Sequence, residues 1–149
     1  MSFSSRVKEE IARQKSNARH CCIAEFAAIF HLCGKIRKRA QGNLFLEIHT
    51  ENLTVAQKSY TLLRKTFEVQ VDVMVRRHNV RLSGARYSLF VREKKGVILI
   101  LKAIKMLDEN GNLWGGSQQI PQRLVQNTCC KRAFLRGSFL VAGSVTNPE

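Results

Sequence analysis

Two stretches of this chain follow one plan, and that repetition constrains the fold more than any other feature. Each has a vicinal cysteine pair, an apolar helical run and a stop glycine. The first copy reads Cys21-Cys22, Ala24–Cys33, Gly34, and the second Cys129-Cys130, Phe134–Val141, Gly143. The second cysteine stands 12 residues before the glycine in one copy and 13 in the other. Small residues recur inside, Ala27 and Ala28 in the first copy, Gly137 and Ala142 in the second. Small side chains at helical spacing let two backbones approach closely, because the side chains at the contact set the interaxial distance. The expectation is a tight helix–helix seam built around Ala27, Ala28, Gly34, Gly137 and Gly143.

Between the copies the hydrophobic period switches between helix and strand. Ser5 is placed to cap a helix over 5–15, with Glu9 and Glu10 near its positive end. Gln41-Gly42-Asn43 reads as a hairpin turn joining Lys35–Arg39 to Leu44–Thr50. Asn52 can cap the next helix, whose stripe Ala56, Tyr60, Leu63, Phe67 is buried with Lys58 and Lys65 outside it. Val69, Val71, Val73 and Val75 alternate as a half-buried strand. After a Ser83-Gly84 turn, Arg86–Arg92 puts Tyr87, Leu89 and Val91 on one face and Arg86, Ser88 and Arg92 on the other. Val97–Leu107 reads as a largely buried helix, Pro121 opens a short one through Val125, and Phe134–Val141 is the last. The fold class that follows is α+β: a four-stranded antiparallel sheet with helices on one face.

Charge says what the open face could meet. The chain has 149 residues, the length of one domain, with 25 Lys+Arg against 11 Asp+Glu, a net charge of +14. Its 44% hydrophobic content excludes a charge-rich disordered tail. No apolar run nears the ~18 residues of a membrane span, and no apolar leader follows Met1, so a cytoplasmic protein is expected. Ten of the fourteen surplus charges fall in two segments, 35–39 and 76–95. Period two puts Arg37 with Arg39, and Arg86 with Arg92, on the polar side of the sheet. Those four are expected to contact phosphates, supported by Lys35, Lys38, Arg76, Arg77, Arg81, Lys94 and Lys95. Double-stranded DNA is the leading partner, and a basic scaffold for RNA or an acidic protein is an alternative.

The two runs Phe26–Gly34 and Leu135–Gly143 resemble degenerate LAGLIDADG helices, the paired central helices of homing endonucleases. The whole chain is similar to the WhiA family of bacterial sporulation and division regulators. The resemblance is carried by Met1-Ser2-Phe3 with Val7-Lys8-Glu9-Glu10, Cys21-Cys22 before Ala24-Glu25, and Thr50-Glu51-Asn52. It continues through Val75-Arg76-Arg77, Cys129–Leu140, Gly143-Ser144-Val145 and Asn147-Pro148-Glu149. It implies a nucleoid-associated DNA-binding regulator of sporulation, cell division and chromosome segregation, working with protein partners in transcription. It also implies a first repeat over 1–128 and the start of a second over 129–149, with that repeat's strands and a helix-turn-helix domain beyond this chain. A second repeat stopping after its first helix would favour a homodimer or a swap of that helix. Where the endonucleases carry a metal-binding acid before each final glycine, this chain has Cys33 and Ala142. Neither holds Mg²⁺, so no cleavage chemistry is expected.

The enzyme-class alternative is a nuclease with relocated acids, for which Glu25 and Glu47 are the candidates. Parallel pairing of the helices would bring both cysteine pairs to one end, where a four-thiolate site can be drawn. Vicinal pairs lack the usual zinc spacing, so reduced thiols are the default and neither metal nor cofactor is assigned. Cys33 as a nucleophile has no supporting spacing, His31 reads as a partly buried or seam residue rather than a ligand, and residues 111–116 lack the context of a phosphate loop. Trp114 and Tyr87 could stack on a base, but anchoring the core or a loop suits each better.

Overall fold

The computed structural model describes residues 2–77, 84–108, 110–113 and 120–148; Arg81, Ser83 and Trp114 lie outside the described residues. The elements are α1 (Phe3–Arg13), α2 (Arg19–Cys33), β1 (Gly34–Lys38), β2 (Leu44–Thr50), α3 (Leu53–Thr66), β3 (Asp72–Arg77), β4 (Ala85–Val91), α4 (Lys94–Ala103), a 3₁₀ turn (Gln122–Val125) and α5 (Thr128–Ala142). One antiparallel sheet has the order β1-β2-β4-β3. Its inner face, with Leu46, Ile48, Leu89 and Val91 fully buried, packs under α2, α3 and α4. The α+β class and the one-sided helical layer are as the alternation implied.

Local chemistry explains the boundaries. In the hairpin Gly42 takes φ +89°, while the Arg39 amide donates to the Asn43 carbonyl and the Gly42 amide to that of Arg39, both at 2.8 Å. Asn52 Oδ1 caps α3 by accepting from the amides of Thr54 (2.8 Å) and Val55 (3.4 Å). At α1 the cap is Ser2 rather than Ser5: the Ser2 hydroxyl accepts from the Ser5 amide at 3.1 Å, so the helix begins at Phe3.

Three expectations need correction. Tyr60 is 41% exposed and Lys58 is buried, because α3 sits between the sheet and the other helices and its buried arc runs through Val55, Ser59, Leu62 and Thr66. The valine strand begins only at Asp72. Val69 is buried and Val71 half-buried before it, while Val73 and Val75 stand about half exposed on an edge strand beyond the helices resting on β2 and β4. Finally, α2 and α5 start at Arg19 and Thr128, so both cysteine pairs lie inside the helices rather than before them.

The last point also changes the register of the repeat. Each helix is 15 residues long, and position 19 of the first corresponds to position 128 of the second. Cys21 therefore matches Cys130, Ala24 matches Ala133, Ala28 matches Gly137, and Gly34 matches Gly143. The one-residue difference between the copies vanishes once the pairs are not aligned cysteine for cysteine.

Candidate nucleic-acid interface

The seam comes first, because it fixes the sheet's place. Cys21, Ala24, Cys130 and Ala133 form a small buried cluster between α2 and α5. At Gly137 an added Cβ would stand 3.1 Å from the Ala28 methyl and closer still to the carbonyl oxygen of Glu25. Gly137 and Ala28 thus do line the seam. Gly34 and Gly143 do not: a Cβ at either meets a phenylalanine of its own helix, Phe30 or Phe139, one turn back. Ala27 belongs to the main core under the sheet. His31, expected to be partly buried or in the seam, is exposed beside an apolar cavity of about 450 Å³ between the helix ends, lined also by Leu32, Phe134 and Leu135.

Beside this contact lies a buried ion cluster that the sequence did not announce. Glu25 is fully buried, 3.3 Å from Lys58 Nζ and 3.9 Å from Arg136 Nη2. Lys58 also donates to the carbonyls of Ala12 (3.3 Å) and Gln14 (2.9 Å), and Arg136 to the Ser16 hydroxyl at 2.6 Å. Burial pushes the Glu25 carboxyl above its ordinary 4.5 despite the two cations. Glu25 cannot reach a substrate phosphate from there. Glu47 pairs with Arg37 on the opposite side of the sheet, so the two acids of the nuclease alternative do not meet.

The outer face of the sheet follows from the register. Lys35 opposes Glu47, Arg37 opposes Phe45, Glu47 opposes Phe90, His49 opposes Ser88, and Arg76 opposes Arg86. Cross-strand partners share a face, so Lys35, Arg37, Arg76 and Arg86 stand on one surface with His49, Ser88 and Met74. Arg39, past the end of β1, lies over the Phe45 ring at 5.7 Å, and Arg92, past β4, over Phe90 at 4.8 Å. Phe45 and Phe90 themselves lie 6.4 Å apart. The polar face thus has an aromatic floor holding two guanidiniums, a role the strand pattern did not suggest.

Other basic residues fall elsewhere. Lys38 and Arg77 have the parity of the helix-covered side, and Lys94 and Lys95 open α4 instead of extending the sheet. Tyr87 packs half-buried against the core, so it is unavailable to a base. The face also carries acids: Arg37 pairs with Glu47, Arg86 with Glu51 at 3.3 Å and Arg92 with Asp72 at 3.4 Å. Among the described residues, six cations therefore share the surface with three carboxylates.

At the helix ends, Cys33 and Ala142 are the last helical residues before Gly34 and Gly143. The Cys33 thiol donates to the Ile29 carbonyl at 3.2 Å, and burial pushes it up to about 11, which keeps it protonated and unsuited to nucleophilic work. At the other end the helices bring together three thiols and an imidazole rather than four thiols. His20 Nδ1 lies 3.0 Å from Cys130 Sγ, 3.5 Å from Cys21 Sγ and 4.0 Å from Cys129 Sγ. Cys22 points away, donating to the Ser16 carbonyl at 3.4 Å. Among the described residues no helix is long and apolar enough to cross a membrane.

Comparison with known proteins bears on the same helices and sheet. A family model described as the WhiA N-terminal LAGLIDADG-like domain matches residues 19–107. A probable cell division protein WhiA of Lachnoclostridium phytofermentans is 42% identical over 149 residues, covering all of this chain and 47% of that protein. The Bacillus subtilis protein of the same name is 37% identical over 150 residues, covering all of this chain and 45% of its own length. The chain thus spans about half the length of the curated relatives it matches. Crystal structures of full-length DUF199/WhiA from Thermatoga maritima (TM-score 0.62, 16% identity) and of an N-terminal LAGLIDADG domain of DUF199/WhiA (TM-score 0.60, 19%) share its fold. Each covers 99% of this chain, against 42% of the first structure and 61% of the second. With its paired helices, its sheet order and a family match over more than half its length, the chain belongs to the WhiA N-terminal LAGLIDADG-like domain family.

Proposed function

We propose that this chain is a non-catalytic DNA-holding module of a WhiA-type regulator, gripping duplex phosphates with the open face of its sheet. The observation that carries the reading is the direct cross-strand opposition of Arg76 and Arg86 on an exposed face. Like charges directly opposite weaken a sheet. A phosphate between them reverses the sign of that term and leaves two charge-assisted hydrogen-bonding forks in use. Lys35, Arg37, Arg39 and Arg92 extend the same surface. Glu51 and Asp72 are well exposed, so Arg86 and Arg92 can turn to phosphates without leaving a charge buried, whereas Glu47, 16% exposed, holds Arg37 more firmly.

The relatives' name supports a role in cell division, and the family resemblance extends this to sporulation and chromosome segregation. Cys33 and Ala142 at the acid positions support binding without cleavage. Fluorescence anisotropy with a labelled duplex tests the face. Reversing Arg37, Arg39, Arg86 and Arg92 to Glu is expected to weaken binding by at least about tenfold. Unchanged affinity would remove the face from the reading, and preference for RNA or an acidic peptide would make the chain a scaffold instead. A supercoiled plasmid with Mg²⁺ or Mn²⁺ is expected to stay intact. Nicking that disappears in Glu25→Gln would establish the nuclease.

A further inference from the structure

We propose that His20, Cys21, Cys129 and Cys130 form a structural zinc site that fastens the first turn of α2 to the first turn of α5. Their four ligand atoms all lie within 4.8 Å of one another. A tetrahedral Zn²⁺, with Zn–S of about 2.3 Å and Zn–N of about 2.0 Å, holds its ligand atoms roughly 3.6 Å apart. The distances from His20 Nδ1 to the three sulfurs, 3.0, 3.5 and 4.0 Å, bracket that value. Small shifts of side chains on two rigid helices would close the shell. Three sulfurs and one imidazole make a soft donor set suited to zinc rather than to Mg²⁺ or Ca²⁺.

Electrostatics at the helix ends point the same way. Three thiolates and a neutral histidine around Zn²⁺ carry a net charge of −1, and the site sits where two helix N-termini converge. Each N-terminus presents about half a positive charge. Neither α2 nor α5 has an acid in its first turn, and neither has a side-chain cap, whereas α1 and α3 are capped by Ser2 and Asn52. The thiolates supply the missing negative charge. Each sulfur that binds as thiol gives up its proton to solvent, and the metal drives that loss although burial and neighbouring sulfurs push Cys21 up to about 12.

The surroundings are built for a fixed site with an entry path. Cys21 and Cys130 are buried with Ala24 and Ala133, while His20 and Cys129 are exposed at the mouth of the seam. The ligands come from two segments more than a hundred residues apart, so one ion would restrain a long loop of the unfolded chain. The chain also contains its own controls, since the thiols of Cys22 and Cys33 are bonded to backbone carbonyls elsewhere.

The test is metal binding by the reduced chain. Elemental analysis and competition with a chromogenic chelator are expected to give one zinc per chain. Cobalt substitution is expected to give the intense visible bands of a tetrahedral thiolate complex. Cys129→Ser and His20→Ala change exposed residues, so the fold is expected to survive, and both should weaken zinc binding by at least about a hundredfold. Cys22→Ser and Cys33→Ser should leave it unchanged. Two results would overturn the site: no stoichiometric zinc uptake by the reduced protein, or equal loss of the metal in Cys22→Ser and Cys129→Ser.

Discussion

Replacing Gly137 by alanine is the sharpest perturbation of the seam. The new methyl would stand 3.1 Å from the Ala28 methyl and more than about 1 Å inside ordinary contact with the Glu25 carbonyl oxygen. That oxygen belongs to the backbone of α2, so relief requires the helices to separate rather than a side chain to turn. Overpacking of this kind costs about 1–3 kcal/mol, and a backbone obstacle puts it near the upper end. Alanine returns about 1 kcal/mol of helix propensity. The net expectation is a loss of about 2 kcal/mol, or roughly 4–8 °C in Tm for a chain of this length. Urea unfolding followed by far-ultraviolet circular dichroism should show a lower midpoint with unchanged slope. Adding Ala28→Gly should not rescue it, because the carbonyl is the principal obstacle. As a control Gly84→Ala, which points into open space, should stay within about 0.5 kcal/mol of the parent. A gain of about 1 kcal/mol from Gly137→Ala, the ordinary result for an uncrowded helix, would refute the close approach.

Two further substitutions probe the supports of the fold. Asn52→Ala removes the acceptor for two amides at the start of α3 and is expected to cost about 1 kcal/mol in the same unfolding measurement; no change would mean the cap is dispensable. Glu25→Gln tests the buried cluster through its pH dependence. Because the folded carboxyl titrates above 4.5, the folded state binds the extra proton. Its contribution is therefore fully present below about pH 4.5 and is lost as pH rises through the raised value. The stability of the parent relative to Glu25→Gln should then fall with increasing pH. A difference that grows with pH would show that Lys58 and Arg136 outweigh burial.

Much of the frame was legible because short-range chemistry decides it. The Gly42 turn, the bounds of β2, the Asn52 cap and the polar parity of Arg37 and Arg86 each depend on a few neighbouring residues. What escaped depends on distant partners. Lys58 looks like a surface residue until Glu25 is brought beneath it, and nothing local marks His20 until α5 delivers Cys129 and Cys130. The ends of α3 and α4 pass through left-handed residues Glu68 and Lys105, where no glycine marks the stop. Valines 73 and 75 carry a strand pattern, but no local signal says that the helical layer stops short of them. The candidate face was read in outline. Its acids Glu47, Glu51 and Asp72, which partly neutralise it, become visible only through the strand register and contacts.

The claim that this face holds DNA phosphates is tested most directly by the salt dependence of duplex binding. If Lys35, Arg37, Arg39, Arg76, Arg86 and Arg92 all engage phosphates, the log–log slope of affinity against salt should be near −5, at about 0.9 per contact. If the three acid-paired arginines stay with their carboxylates, it should be near −3. Arg76→Ala with Arg86→Ala should make the slope shallower by about 2, uniformly across duplex sequences. A slope near zero, or one unchanged by that double substitution, would contradict the account.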